Sequence, residues 1–339
     1  MRIIVVTDRE AGQRLDKLLG KYLDLVGKGF IYKMIRKKNI TLNGKKCDGS
    51  EKLSAGDEIK LFLAEETIEK FSKVPARTRG NVSLDILYED DHILLINKPA
   101  GMLSQKAKEG DESLVEYVTG YLLETGAVTP QGLRTFRPGI CNRLDRNTSG
   151  LVVAGKSLAG LQIMAEVFKN RSIHKYYCCI VRGEVRESRT IEGFLMKDPD
   201  LNQVRIYKEG GPGLAPVATR YEPLGYLPFG DRAGKGYTIL KVTLITGRTH
   251  QIRAHLASIG HRLVGDPKYG DPQVNEDAKK RFGIRRQMLH AFEVEFPAIR
   301  EPLAYLSGRR FKAPMPGDFI KILGQTGMNF QTRSSTSLH

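Results

Sequence analysis

The run Asn142-Arg143-Leu144-Asp145-Arg146-Asn147-Thr148-Ser149-Gly150-Leu151-Val152-Val153 places one carboxylate between two guanidinium groups, directly ahead of an apolar segment. A polar stretch that feeds an apolar run reads as a loop entering a buried strand. Asp145 is therefore expected at a strand edge, carried by a loop on a rigid element. Arg143 and Arg146 favour its ionised form, and an ionised carboxylate serves as a nucleophile or general base. The plain alternative is an aspartate that caps a turn and pairs with Arg143 or Arg146. A second run, Thr243-Leu244-Ile245-Thr246-Gly247-Arg248-Thr249-His250-Gln251-Ile252-Arg253-Ala254-His255-Leu256, reads as a strand, a Thr-Gly turn and a helix. Thr249 is the expected N-cap. Ile252, Leu256 and Ile259 form the apolar stripe, and Gly260 is the stop. Arg253 lies beside that stripe and should be partly buried. A buried charge without a partner is costly, so it needs an anion, and Asp145 is the partner expected. His250 and His255 are five apart and fall on different helix faces. They make a poor metal pair and are expected to act as hydrogen-bonding residues; no metal site is expected.

The elements that must hold these residues are mostly strands. Segments 93–96, 151–154, 176–181 and 237–245 are extended and apolar. A helix is expected over 157–168, with Ser157 as N-cap and Leu158, Leu161, Met164, Ala165 and Phe168 inward. This mixture predicts an α+β domain on a mixed, largely antiparallel sheet. Gly210-Gly211-Pro212-Gly213 is glycine-rich, but it does not sit between a strand and a helix as a nucleotide loop does. It reads as a loop, and no cofactor is expected.

With 339 residues and 40% hydrophobic content, the chain should form about two domains. Residues 1–65 form the first. Helical spacing links Leu15, Leu18, Leu19, Tyr22 and Leu23, then Ile31, Met34 and Ile35. Ile40-Thr41-Leu42, an Asn43-Gly44 turn and Lys45-Lys46 give a hairpin signal. Residues 66–81 are polar and read as a linker. Residues 82–325 form the larger domain, and 326–339 a flexible tail.

The formal net charge is +16, from 54 Lys and Arg against 38 Asp and Glu, which points to a polyanionic partner. Between residues 28 and 52 there are eight basic and two acidic residues, a local charge of +6. Arg14, Lys33, Arg36, Lys37, Lys38, Lys45 and Lys46 are the candidate contacts to a phosphate backbone. Cys47, Cys141, Cys178 and Cys179 make no CxxC, which fits small core residues in a reducing compartment. No apolar run is long enough for a signal peptide or a membrane span. The cytoplasm is the expected location, without a membrane partner.

From Gly12 through Asp57 the chain resembles the S4 RNA-binding module, a small α/β unit. The larger domain resembles the RluA-type pseudouridine synthases. The matching blocks are Ile96-Asn97-Lys98-Pro99-Ala100-Gly101-Met102, Arg143-Leu144-Asp145 with Thr148-Ser149-Gly150, and Thr246 through Arg253 with Gly265-Asp266-Pro267 and Tyr269-Gly270. A weaker block runs from Lys175 through Gly183. The resemblance implies the pseudouridine synthase fold and isomerisation of uridine in RNA. Asp145 is then the essential aspartate and Arg253 the arginine that pairs with it. Tyr177, favoured over Tyr176, stacks on the target base with a part in proton transfer. Arg143 fills the gap left by a flipped nucleotide or holds a phosphate. Asn142, Leu144 and Thr148 are expected beside the substrate; Asn142 stands where the family commonly has His, so it can hydrogen-bond but not titrate there. Attack on C1′, addition to uracil C6 and removal of a C2′ proton all stay open for Asp145. The implied substrate is large-subunit ribosomal RNA, with transfer RNA second, and the implied state is a monomer. The rival from another class is a non-catalytic RNA-binding or ribosome-assembly factor built on the same S4-like unit.

Overall fold

A computed structural model describes residues 1–72, 83–198, 201–228 and 235–324. The chain begins with β1 (Arg2–Val5), α1 (Leu15–Tyr22), α2 (Lys28–Arg36), β2 (Ile40–Leu42), β3 (Glu58–Leu61) and α3 (Glu65–Lys70). The three strands form an antiparallel sheet in the order β1-β3-β2. Leu15, Leu18, Leu19 and Tyr22 of α1 face inward, as do Ile31, Met34 and Ile35 of α2. They meet Ile40, Ile59 and Leu61 in one core. Asn43 and Gly44 both have positive φ, 52° and 72°, the conformation a two-residue hairpin turn requires. The hairpin's second arm is shorter than expected. It ends at one bridge between Leu42 and Lys45, and β2 pairs with β3 instead. Ile59 and Leu61 bring apolar side chains to that core, whereas Lys45 and Lys46 are exposed.

The expected linker starts too early. Glu65–Lys70 is helical, Ile68 is buried, and Phe71 packs against the same core. Ser72 Oγ donates to the Tyr22 carbonyl at 2.7 Å. Two apolar residues three apart anchor this turn but are too few to show as a period. Residues 73–81 of that linker and the tail 326–339 lie outside the described residues.

The larger part continues with β4 (Ile86–Glu89), β5 (Ile93–Lys98), α4 (Leu114–Glu124), α5 (Gly132–Thr135), β6 (Gly139–Ile140), β7 (Ser149–Gly155) and α6 (Leu158–Lys169). Then come β8 (His174–Arg182), β9 (Arg189–Asp198), β10 (Gln203–Tyr207), β11 (Ala215–Leu227), β12 (Tyr237–Leu244) and α7 (Gln251–Ser258). The last elements are α8 (Pro272–Phe282), β13 (Leu289–Glu295), a 3-10 turn (Ala304–Leu306), β14 (Arg310–Lys312) and α9 (Gly317–Leu323). The main sheet runs β10-β9-β11-β12-β8-β13-β7-β5-β4, with β6 on β7 and β14 on β13. It is the mixed, largely antiparallel sheet that the sequence predicts.

Among the described strands, β7 and β13 alone run parallel, through the pairs Ser149–His290 and Gly150–Ala291. Gly150 has φ +113°, and a Cβ there would fall on the Ala291 carbonyl. The seam closes because this residue has no side chain. Alternate residues of β5 and β7 feed opposite faces. Leu94, Ile96, Val152 and Ala154 join Leu114, Val118 and Leu122 of α4 and Ile252 and Leu256 of α7. Ile93, Leu95, Leu151 and Val153 join Ile163, Met164 and Val167 of α6. Ser157 caps α6 as expected, accepting from the Gly160 amide at 3.0 Å. The inward face is rotated from the expected one: Ile163 and Val167 are buried and Ala165 is exposed. Gly160 packs directly on the His92 carbonyl, which sets that rotation.

The N-terminal unit seats on α5 and the start of α6. Thr135 Oγ1 donates to Glu10 Oε1 at 2.6 Å, Arg137 pairs with Asp24 at 2.6 Å, and the Leu158 amide donates to the Arg9 carbonyl at 3.2 Å.

Candidate active site

The loop between β6 and β7 is pinned on both sides of Asp145. Before it, Leu144 is buried in the core; its amide donates to Ser104 Oγ at 3.0 Å, and Ser104 donates back to the Leu144 carbonyl at 2.8 Å. After it, the Arg146 carbonyl accepts from Lys98 Nζ at 3.1 Å. Lys98 is fully buried and also donates to the carbonyls of Pro99 and Met102, both at 2.9 Å. Burial pushes its pKa down to about 7, against the pull of the Asp145 charge and with a further push from Arg286. Between these anchors the Asp145 side chain keeps 23% of its surface open.

Arg253 comes from the first turn of α7 and is 4% exposed. Its Nη1 donates to Asp145 Oδ2 at 2.8 Å. Its Nε and Nη2 grip both oxygens of Asp266 at 2.7 and 2.8 Å. Asp266 also accepts from the amides of Lys268, at 2.8 Å, and Tyr269, at 3.1 Å. Burial disfavours the Asp266 charge, but the Arg253 hydrogen bonds and charge with the two amides outweigh it and hold its carboxyl below the usual range. Desolvating a guanidinium costs several kcal/mol, roughly, unless carboxylates and hydrogen bonds compensate it. Two carboxylates do so here. Asp145 Oδ1 has no partner among the described residues.

Tyr177 stands on β8, 7% exposed, in the core cluster that holds Leu144 and Ile252. Burial, and then the Asp145 charge, push its phenol up, so the hydroxyl stays protonated. That hydroxyl has no hydrogen bond among the described residues. Tyr176 is turned away by strand alternation; it donates to Glu295 at 3.1 Å, and Lys241 Nζ lies 4.5 Å from its ring centre. Arg143 is exposed, with no ion pair among the described residues.

Three residues expected beside the substrate hold the loop and the start of β7. Asn142 spends its amide on β7, accepting from the Val153 amide at 2.8 Å and donating to the Leu151 carbonyl at 3.2 Å. Leu144 fills the core, and Thr148 is 2% exposed with its hydroxyl accepting from Gln287 at 3.3 Å. The loop must satisfy its own backbone and bury its apolar residue before β7 can start, and these side chains do that work.

Thr249 is not the cap of α7. The helix starts at Gln251, preceded by His250 at φ +52°. No side chain caps the helix; Gln251 instead ties down the turn ahead of it, accepting from the Arg248 amide at 3.0 Å and from Thr246 Oγ1 at 2.8 Å. Gly260, at φ +86°, follows the last turn as expected. The two histidines make separate hydrogen bonds: His250 with Tyr269 Oη at 3.1 Å, His255 with Thr219 at 2.8 Å. A cleft of about 440 Å³ is lined in part by Asp85, Asn97, Lys98, Arg286 and Asp318. Asp145, Tyr177 and Arg253 do not line it. Among the described residues no group of three His, Cys, Asp or Glu could hold a metal ion, and no helix is long and apolar enough to cross a membrane.

On the N-terminal unit, Lys33, Arg36, Lys37, Lys38, Lys45 and Lys46 are exposed and have no ion pair among the described residues. Arg14 differs, because Asp16 holds it by two bonds of 3.0 and 3.2 Å. The segment Arg14-Leu15-Asp16 carries that signal in the sequence.

Comparison with known proteins matches residues 92–258 to the RNA pseudouridylate synthase family and residues 13–59 to the S4 domain. Asp145, Tyr177 and Arg253 lie within the first match and Asp266 beyond it. Ribosomal large subunit pseudouridine synthase C of Vibrio vulnificus (strain CMCP6) is 31% identical over 336 residues, 95% of this chain and 96% of that one. Its namesake from Escherichia coli (strain K12) is 32% identical over 327 residues, 93% of each. Of solved structures, human RNA pseudouridylate synthase domain containing 1 superposes with a TM-score of 0.52 at 25% identity, over 69% of this chain and 84% of that one. The human domain containing 4 protein gives 0.55 at 20% identity, over 74% and 94%, and shares the fold.

Proposed function

This chain belongs to the RNA pseudouridylate synthase family and isomerises uridine to pseudouridine in RNA, and we propose that large-subunit ribosomal RNA is its substrate and Asp145 its catalytic carboxylate. The observation that carries the second part is the asymmetry of the Asp145 carboxylate. Arg253 holds Oδ2 at 2.8 Å, while Oδ1 faces no partner among the described residues. The isomerisation breaks the N1–C1′ bond, turns the uracil and joins C5 to C1′, with no net redox change. Attack on C1′, addition to C6 and removal of a C2′ proton all start from a free carboxylate oxygen.

The target base must leave its stack to reach that oxygen. Tyr177 offers it a ring and a neutral hydroxyl beside Asp145. Arg143, exposed and without an ion pair among the described residues, fills the vacated stack or meets a phosphate. Six unpaired cations on the N-terminal unit supply sequence-independent grip. The ribosomal RNA substrate is supported by the two relatives named as large-subunit synthases, which align over nearly the whole chain. The four thiols are unpaired, as suits a reducing cytoplasm, and a monomer completes this reading.

The test compares wild type with Asp145→Asn in a strain that lacks the protein. Pseudouridine is mapped by carbodiimide labelling and primer extension across 23S rRNA and tRNA. Wild type should restore discrete 23S sites and the variant none. Restoration in tRNA alone would move the substrate; restoration by the variant would remove Asp145 from the chemistry.

A further inference from the structure

Arg253 is not the only donor aimed at Asp145. His250 Nε2 lies 3.9 Å from the same oxygen, Oδ2. Its ring is 9% exposed and stands edge-on to Tyr269, with centroids 5.6 Å apart at 73°. We propose that His250 is a positioning residue of the isomerisation: Tyr269 fixes it as the Nε2–H tautomer, and it gives Asp145 Oδ2 a second hydrogen bond when RNA closes over the site, so that Oδ1 is the oxygen turned to the nucleotide. This deepens the reading of Asp145 as the catalytic carboxylate and rests on it.

The proposed tautomer uses both the acceptor and the donor capacity of the Tyr269 hydroxyl. Tyr269 Oη accepts the Val204 amide proton at 2.7 Å. In the proposed arrangement the hydroxyl gives its own proton to His250 Nδ1, 3.1 Å away. A nitrogen that accepts carries no proton, so the ring proton sits on Nε2, facing Asp145. At 3.9 Å the last contact is longer than a hydrogen bond. Catalytic contacts are commonly long before substrate binds and tighten afterwards.

Charged groups approach His250 from several elements: Asp145 from the loop before β7, Arg253 from α7, Asp266 and Lys268 from the segment before α8. Burial is the largest influence and lowers its pKa; Asp145 and Asp266 oppose it, and Arg253 and Lys268 add to it. The imidazole is thus a neutral donor. A second cation would compete with Arg253 and draw charge from the carboxylate; a neutral N–H orients it at less cost to its reactivity. The backbone agrees. His250 holds φ +52°, a left-handed conformation unfavourable for a non-glycine residue, and such strain persists where surrounding contacts impose it.

The experiment measures kcat and KM of wild type, His250→Gln, His250→Leu and Tyr269→Phe on one rRNA transcript, with ¹⁵N spectra of the histidines in the unliganded protein. Glutamine keeps an N–H near Nε2 and should stay within about 3-fold of wild-type kcat, whereas leucine should lose about 10- to 100-fold in kcat with KM within about 2-fold. The spectra should show His250 as the Nε2–H tautomer, and Tyr269→Phe should mix in the other. Wild-type kcat in His250→Leu, an equal loss in His250→Gln, or an Nδ1–H tautomer would each overturn the proposal. An inactive wild type would instead remove the substrate reading, and the spectra would still decide the tautomer.

Discussion

The two regions assigned to RNA follow opposite electrostatic plans. At the proposed catalytic centre one guanidinium, 4% exposed, is shared between two carboxylates. On the N-terminal unit six cations stand in solvent without a partner among the described residues. Buried charges must be paired, so the first plan fixes one geometry and depends on the two-bond partner of the guanidinium. Solvated cations keep their hydration and act by summed counterion release, so the second plan tolerates single losses. In the proposed reading, position comes from the first and grip from the second.

The sharpest cut through this contrast is Asp145→Asn. It should lower kcat by at least about 10⁴-fold while the protein melts within a few degrees of wild type, because Arg253 keeps its two bonds to Asp266. Single-turnover kinetics beside a thermal melt reads both; a collapsed melt would mean that Asp145 is structural. Asp266→Ala makes the complementary cut. It strips the buried guanidinium of its two-bond partner and should cost about 3–5 kcal/mol of stability, read from urea midpoints. A cost below 1 kcal/mol, roughly a surface pair's worth, would show that burial does not set the plan.

Acid should separate the regions next. Burial pushes His255 and His290 down to about 4, against about 6.5 in an unfolded chain. Their folded values are depressed, so the stability they permit is complete above about 6.5 and is lost as pH falls through about 4, up to about 3 kcal/mol each. No histidine precedes His92. Hydrogen exchange at pH 4.5 should therefore loosen the main sheet before the N-terminal unit; simultaneous loss would argue against this assignment. The mildest test removes four cations together, as Lys33, Arg36, Lys45 and Lys46 to Ala. RNA affinity should fall by about 10- to 100-fold and the salt slope by about three, with kcat at saturating RNA unchanged. A drop in kcat would mean that this face also positions the substrate.

The pair of Asp145 and Arg253 is legible in the sequence because a charge on an apolar stripe must find a partner. Asp266 is not, since Gly265-Asp266-Pro267 reads as a turn and nothing local says which way its carboxyl points. Nor does nearness in the chain reveal the scaffold contacts of Asn142, Leu144 and Thr148, for the same reason: side chains of a loop entering a strand diverge. The strands β9 and β11 show little apolar period, as β9 buries only Ile191 and Leu195 of its ten residues. The sequence holds an unread signal for α4, where Ser113 and Glu116 make a capping box.

The parallel seam at Gly150 borders the proposed active centre, since its partner Ala291 pairs on the other side with Tyr177. Asp145 enters from the side of β7, while Tyr177 and Arg253 come from the side of β8 and β12. The Arg253–Asp145 bond joins residues 108 apart in the chain. Contacts of that span form after local hairpins, because their loop-closure entropy must be met first. Catalytic competence is therefore a late event in folding. A refolding chain should recover its sheet signal before its turnover, and an intermediate with undocked halves would hold RNA through its N-terminal cations without converting it.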